Sequence, residues 1–182
     1  MNFLKLLSVL AFCLAFTLKG ADFPVIAALD FTQPSITKIV RLYCHSGFKG
    51  SLSQGIFDDI PALKLTVTEA QTPPKNNAQL QLRIPVQVVI KSGHEYRLSF
   101  RCRAEQPFVF TFRNQESISP WKSVSEKNAG SFRALTTWQQ VEFCFTATRD
   151  ATGILWVPNF ELAQLTAGNS FYLANLKFEQ LD

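Results

Sequence analysis

Between residues 95 and 114 the chain reads EYRLSFRCRAEQPFVFTFRN, and its side chains separate by parity. Tyr96, Leu98, Phe100 and Cys102 fall on one side, while Arg97, Ser99, Arg101 and Arg103 fall on the other. Side chains alternate faces along a strand, so the pattern predicts one face on a core and an arginine-rich face turned outward. The same period of two recurs in LKLTVTEA (63–70), AQLQLRIPVQVVI (78–90), PFVFTFRN (107–114), WQQVEFCFTA (138–147), ILWVPNFELA (154–163) and SFYLANLKFEQ (170–180). A weaker candidate lies in VIAALDF (25–31). Turn-forming clusters such as QTPPKNN, KSGHE and TAGNS separate these runs. Short alternating strands between such turns indicate an all-β, antiparallel β-sandwich. No segment keeps a helical period, and IVRLYCHSGFKGSLSQGIFDD reads as an irregular crossing with room for one short strand.

The first 21 residues, MNFLKLLSVLAFCLAFTLKGA, break this pattern. A basic start ending at Lys5 precedes an apolar run over 6–18, the arrangement of a secretory signal peptide. The run falls short of the roughly 20 apolar residues that span a bilayer. We therefore expect a signal peptide at 1–21 and a single β-sandwich domain at 22–182, secreted or periplasmic and free of the membrane once the leader is cut.

Charge changes the picture little. The chain has 18 Lys and Arg against 14 Asp and Glu, and the leader holds Lys5 and Lys19 with no acid. The remainder is close to balanced, so net charge makes no case for nucleic acid as a partner. Three cysteines follow the leader, Cys44, Cys102 and Cys144. Parity points Cys102 inward and Cys144 outward beside Glu142, and a disulfide between them would have to cross a sheet. All three are expected to be reduced. Without a CxxC or a His pair at ligand spacing, no metal site and no cofactor is assigned.

Catalysis finds no support either. A glycosidase needs two carboxylates flanking one bond, and nothing pairs Glu142, Glu161, Asp58 or Asp59. His45 and His94 lack an adjacent nucleophile motif, and Cys44 and His45, as strand neighbours, point apart. No catalytic residue is assigned, and the chain reads as a non-enzyme.

The order LKLTVTE, AQLQLRIPVQVVIKSGHEYRLSFRCRAE, SPWKSV, TTWQQVEFCFTA, FELA, SFYLANLKFEQ resembles the carbohydrate-binding modules of the family four, nine and twenty-two grouping. The likeness covers residues 61–180, and KSGHEYRLSFRCRA is similar to that grouping's Gly-x-x-Tyr-x-Leu-x-Phe strand. It implies a galactose-binding-like jelly roll. It also implies that Trp138, which opens a strand where the grouping has a fold-marking Trp, serves packing. Ala174, Asn175 and Leu176 stand where the grouping's last strand carries Asp-Asn-Val, which removes a carboxylate associated with a structural calcium. The grouping's N-terminal Asn-x-x-Phe-Glu segment is not evident in LDFTQP.

AEQP (104–107) is short enough for 95–104 and 107–114 to pair as a hairpin. Arg97, Arg101, Arg103, Thr111 and Arg113 would then share one outer face. In a jelly-roll sugar binder such a face supplies donors to ring hydroxyls while aromatic rings stack on the sugar. Trp121, in the loop SPWKSV, is the expected stacking plane. The alternative is a solvated face whose arginines discourage edge aggregation and pair with acids such as Glu142. Trp156 shares parity with Ile154, Phe160 and Leu162, which puts it in the core unless Pro158 introduces a bulge.

Three functions remain open. The first is a non-catalytic module that binds a polysaccharide or oligosaccharide, alone or beside a separate glycoside hydrolase. The second is a cell-surface or periplasmic interaction protein that keeps the jelly roll without sugar binding. The third is a small glycan-active hydrolase.

Overall fold

The computed structural model describes residues 24–70, 79–125 and 129–182. The leader expected at 1–21 and the QTPPKNN turn lie outside the described residues. In chain order the elements are β1 (Val25–Ala28), α1 (Ile36–Ile39), β2 (Arg41–His45), β3 (Lys49–Phe57), β4 (Ile60–Glu69) and β5 (Gln79–Ile90). They continue as β6 (Glu95–Ala104), β7 (Phe108–Glu116), β8 (Ala129–Ala134), β9 (Gln139–Thr146), β10 (Ala151–Glu161) and β11 (Ser170–Gln180). The strands form two antiparallel sheets, one ordered β3-β4-β11-β6-β9 with β1 also on β11, the other β2-β5-β10-β7-β8. This is the antiparallel sandwich expected from the alternating pattern, in the jelly-roll form that the resemblance implied.

The core lies between the sheets, because each strand turns its apolar parity inward. Tyr96, Leu98, Phe100 and Cys102 of β6 are fully buried. They face Phe108, Phe110 and Phe112 of β7 and Phe160 of β10, also buried. Phe100 meets Phe112 at 5.7 Å and Phe160 at 5.2 Å between ring centroids, edge to face, and Phe110 meets Phe171 of β11 at 5.4 Å. These contacts join one sheet to the other in geometries aromatic quadrupoles favour.

Four expectations change. First, β6 and β7 do not pair as a hairpin. β6 pairs with β11 and β9, and β7 with β10 and β8, so AEQP carries the chain from one sheet to the other. The crossing stacks two apolar faces against each other, which buries more than a side-by-side hairpin would. Asn169 pins it, accepting from Gln106 N at 2.9 Å and donating to Gln106 O at 3.0 Å.

Second, residues 41–57 hold two strands rather than one at most. β3 pairs along β4 from Lys49 to Phe57 at an edge of its sheet, where glycines and serines suffice. A Cβ on Gly50 would lie 2.9 Å from the Thr66 carbonyl oxygen, so that close approach requires glycine. Third, β8 forms the edge beyond β7, although AGSFRA carries little alternation.

Fourth, β10 contains the irregularity that Pro158 made conceivable. Its register shifts between Trp156 and Asn159 against both neighbours. Ile154, 53% exposed, and Trp156 face outward, whereas Val157, Phe160 and Leu162 are buried. Trp156 is therefore a surface residue.

Candidate functional site

Register on the five-stranded sheet aligns outward side chains into rungs. Arg41, Arg83, Asn159 and Arg113 are successive cross-strand partners over β2, β5, β10 and β7. The next rung holds Tyr43, Gln81, Glu161 and Thr111 on the same four strands. Pro85, Trp156 and Gln115 form the rung on the other side of the arginines.

Arg83 lies between two rings, its Cζ 4.5 Å from the centroid of Tyr43 and 4.3 Å from that of Trp156. Stacking of this kind suits the flat guanidinium. Its Nε and Nη2 donate to Gln81 Oε1 at 2.9 and 2.6 Å. Gln81 Nε2 donates in turn to Glu161 Oε1 at 3.0 Å, and Arg113 Nε stands 3.5 Å from that oxygen. Partial burial lowers the Arg83 pKa, while the charges of Tyr43 and Glu161 act in the opposite direction. A guanidinium still keeps its proton at neutral pH. The result is an orienting chain from Arg83 through Gln81 and Glu161 to Arg113, beneath two partly exposed rings.

Trp121 stands at the margin of this sheet. It is 54% exposed, with φ of 52° and its N–H donated to the Ile118 carbonyl at 2.8 Å. Ser117, in the same loop, donates from N and Oγ to the Ile154 carbonyl at 3.3 and 2.6 Å. The loop is thereby fastened two residues before Trp156. Of the residues expected from sequence, Thr111 and Arg113 belong to this face, and Trp121 to the loop that follows β7.

Arg97, Arg101 and Arg103 do not share it. They face outward from the other sheet, so the single face once drawn through them, Thr111 and Arg113 does not exist. Arg97 Nε is 3.1 Å from Glu179 Oε2, and Arg103 Nε is 3.1 Å from Asp58 Oδ2. Asp58 Oδ2 also accepts from Trp138 Nε1 at 3.1 Å. Arg103 lies 4.0 Å over the Tyr172 ring, Arg101 lies 5.7 Å over Trp138, and Phe57 meets Tyr172 edge-on at 4.9 Å. The Tyr172 hydroxyl donates to the Glu105 carboxylate, and only 2% of this outward-pointing residue is exposed. The cluster forms a small outer layer of ion pairs and ring contacts with Trp138 packed into it, although Arg103 Nε, close to Asp58, is not aligned for a hydrogen bond. Here Arg97 and Arg103 pair with acids, Glu179 and Asp58, as the alternative expected, whereas Arg101 lies over Trp138 instead.

Sequence reasoning missed Tyr43, Gln81, Arg83 and Asn159, and set Trp156 aside. Parity in RLYCH and QLQLRIP does turn Tyr43, Gln81 and Arg83 to polar faces. What joins them is the pairing of β2 with β5 and of β5 with β10, which no local pattern encodes.

Cys102 is buried and Cys144 exposed, as parity required. Among the described residues no three His, Cys, Asp or Glu side chains are grouped to hold a metal. Ala174 offers no donor where the resembled grouping has its carboxylate, so the residues present do not fit a calcium ion there. Among the described residues no helix is long and apolar enough to cross a membrane.

No sequence family matches the chain, and no curated protein matches it in sequence. Solved structures do match. The N-terminal cellulose-binding domain of Cellulomonas fimi β-1,4-glucanase C gives a TM-score of 0.58 at 18% identity over 87% of this chain and 98% of that one. The fold is that of the jelly-roll carbohydrate-binding modules. A family 4 carbohydrate-binding module gives a TM-score of 0.54 at 18% identity over 85% of each chain. A xylan-binding family 22 domain from Paenibacillus barcinonensis gives 0.56 at 10% identity, over 88% of this chain and 96% of its own. On this carbohydrate-binding-module fold, the outer face of the five-stranded sheet joins partly exposed rings to Arg41, Arg83 and Arg113, with Glu161 the one carboxylate among the described residues.

Proposed function

We propose that this protein is a secreted, non-catalytic carbohydrate-binding module whose polysaccharide site is the outer face of the five-stranded sheet. The observation that carries the reading is the stack of Tyr43, Arg83 and Trp156, held by Gln81 and Glu161. Rings fixed in this way offer flat apolar surfaces to pyranose faces, while amides and guanidinium groups offer donors and acceptors to hydroxyls. Because the network is already formed, little side-chain entropy is lost on binding. Thr111, Arg113 and Trp121 extend the site along β7 and its following loop. Cellulose-binding and xylan-binding domains among the structural neighbours support a glycan as the ligand.

Glu161 is the one carboxylate on this face among the described residues. It is engaged by Gln81 and Arg113, whereas glycosidic cleavage calls for a pair, so the face binds without cutting. The leader supports export, and the module would act alone or hold a separate glycoside hydrolase near its substrate.

Affinity electrophoresis of residues 22–182 against cellulose derivatives, xylan, mixed-linkage glucan and polyuronates tests the reading. At least one glycan should bind, and Trp156→Ala or Tyr43→Ala should weaken it on the order of tenfold, a loss of about 1.4 kcal/mol. Arg101→Ala, on the opposite sheet, should bind as the parent does. Failure to bind any glycan, or undiminished binding by both ring variants, would overturn the proposal and leave the interaction-protein reading in its place.

A further inference from the structure

The two outer faces differ in charge balance. Outward from the six-stranded sheet stand Lys64, Arg97, Arg101, Arg103 and Lys177, matched by Asp58, Glu95, Glu105, Glu142 and Glu179. Outward from the five-stranded sheet stand Arg41, Arg83, Arg113 and Arg133 against Glu161 alone among the described residues. Three of these arginines fall on one rung with Asn159, and that rung contains no carboxylate. Like charges placed opposite each other across strands are destabilising, and on this face only Glu161, among the described residues, offsets that cost.

Much of the donor capacity on this rung is unspent. Arg41, like Arg133 at the sheet edge on β8, has no ion-pair partner among the described residues, and Arg83 uses only Nε and Nη2 on Gln81. Arg113 is half exposed and stands 3.5 Å from its carboxylate. Asn159 is 2% exposed, flanked by Arg83 and Arg113, with an Oδ1 that meets no donor. Strands lie about 4.8 Å apart, so the arginines of β2, β5 and β7 span about 14 Å, with Asn159 of β10 between the second and third.

We propose, resting on the reading of this face as a glycan site, that it selects acidic polysaccharides: polymers whose uronate carboxylates lie along the arginine rung while their rings rest against Trp156 and Tyr43. A carboxylate accepts two parallel N–H bonds from a guanidinium, and this fork is what Arg supplies and Lys does not. Single-stranded nucleic acid also answers to cations and rings, but it stacks bases on open aromatic faces. Here Arg83 fills the space between the two rings, which closes that gap to a base.

The test is calorimetric titration of residues 22–182 with polygalacturonate and alginate, with carboxyl-reduced polygalacturonate, and with dextran sulfate and oligo-dT as polyanions lacking uronates. A polyuronate should bind on the order of tenfold more tightly than the carboxyl-reduced polymer, and its affinity should fall as salt rises. Arg41→Gln and Arg113→Gln should each weaken uronate binding several-fold and flatten the salt dependence, with Arg101→Gln unchanged. Equal or tighter binding of the carboxyl-reduced polymer would overturn acidic selection while leaving the glycan site standing. Binding of no glycan would overturn both. Dextran sulfate or oligo-dT binding as tightly as polyuronate would show attraction to charge alone and would also overturn the inference.

Discussion

Arg83 shows how one side chain acquires a role through several weak contacts acting together. Two rings hold its plane, Gln81 fixes its rotation, and partial burial raises what each contact contributes. At this scale parity turned Arg97, Arg101 and Arg103 outward and Cys102 inward, as the structure has them, and failed at Trp156 beside the register shift of β10. The cysteines give a direct check. Burial pushes the Cys102 thiol up to about 12, while Cys144 rises by burial and is pulled back by Arg97. Since the thiolate is the reactive form, a thiol reagent should modify native protein at Cys144 well before Cys102. Denatured protein should yield all three groups after the leader. The raised Cys102 value also stabilises the fold below the ordinary thiol range, a contribution lost as pH climbs from about 9 toward 12. Equal native reactivity of Cys102 and Cys144 would contradict the facing of β6 or β9.

Among the elements, β6 over 95–104 could be read directly, because it alternates without interruption against the core, and β11 over 170–180 could be read despite the register shift between Ala174 and Lys177. β3 and β8 could not. Each is an edge strand with one neighbour, and an edge tolerates the glycine and serine that blur alternation. The turn joining β3 to β4 illustrates how local chemistry shapes an element. Asp58 and Asp59 both take positive φ, 50° and 61°, the geometry a two-residue hairpin prefers and glycine adopts most readily. Asp58 is needed, since its carboxylate meets Trp138 and Arg103. Asp59→Gly should therefore raise unfolding free energy by about 0.5–1 kcal/mol in urea denaturation. Because this turn belongs to the six-stranded sheet, glycan affinity should not change.

The whole molecule is held by aromatic contacts reaching across the sandwich. Phe100 from one sheet meets Phe112 and Phe160 from the other, all three buried. Phe100→Ala would leave a cavity at the point where the sheets meet. It should cost about 3–5 kcal/mol, against a total stability of about 5–15 kcal/mol for a domain of this kind. Equilibrium denaturation should show this as a large fall in midpoint. A change below about 1 kcal/mol would mean that Phe100 does not join the sheets as described.

The sequence alone determined which side chains face the core and which face water wherever a strand runs without a bulge, because strand parity is a local property of the backbone; at Trp156, beside the register shift of β10, it did not. It also determined the all-β class, since alternating runs between turns pack stably only as paired sheets. Pairing partners were decided by tertiary structure. AEQP could have closed a hairpin, and crossing between sheets won because it lays two phenylalanine-rich faces against each other. That choice placed Arg97, Arg101 and Arg103 on one side of the molecule and Arg113 on the other. The bulge at residues 156–159 then brought Trp156 outward, and the pairing of β2, β5, β10 and β7 aligned it with Tyr43 and Arg83. A surface assembled from strands distant in sequence has no local signature, since its geometry arises only when those strands share a sheet.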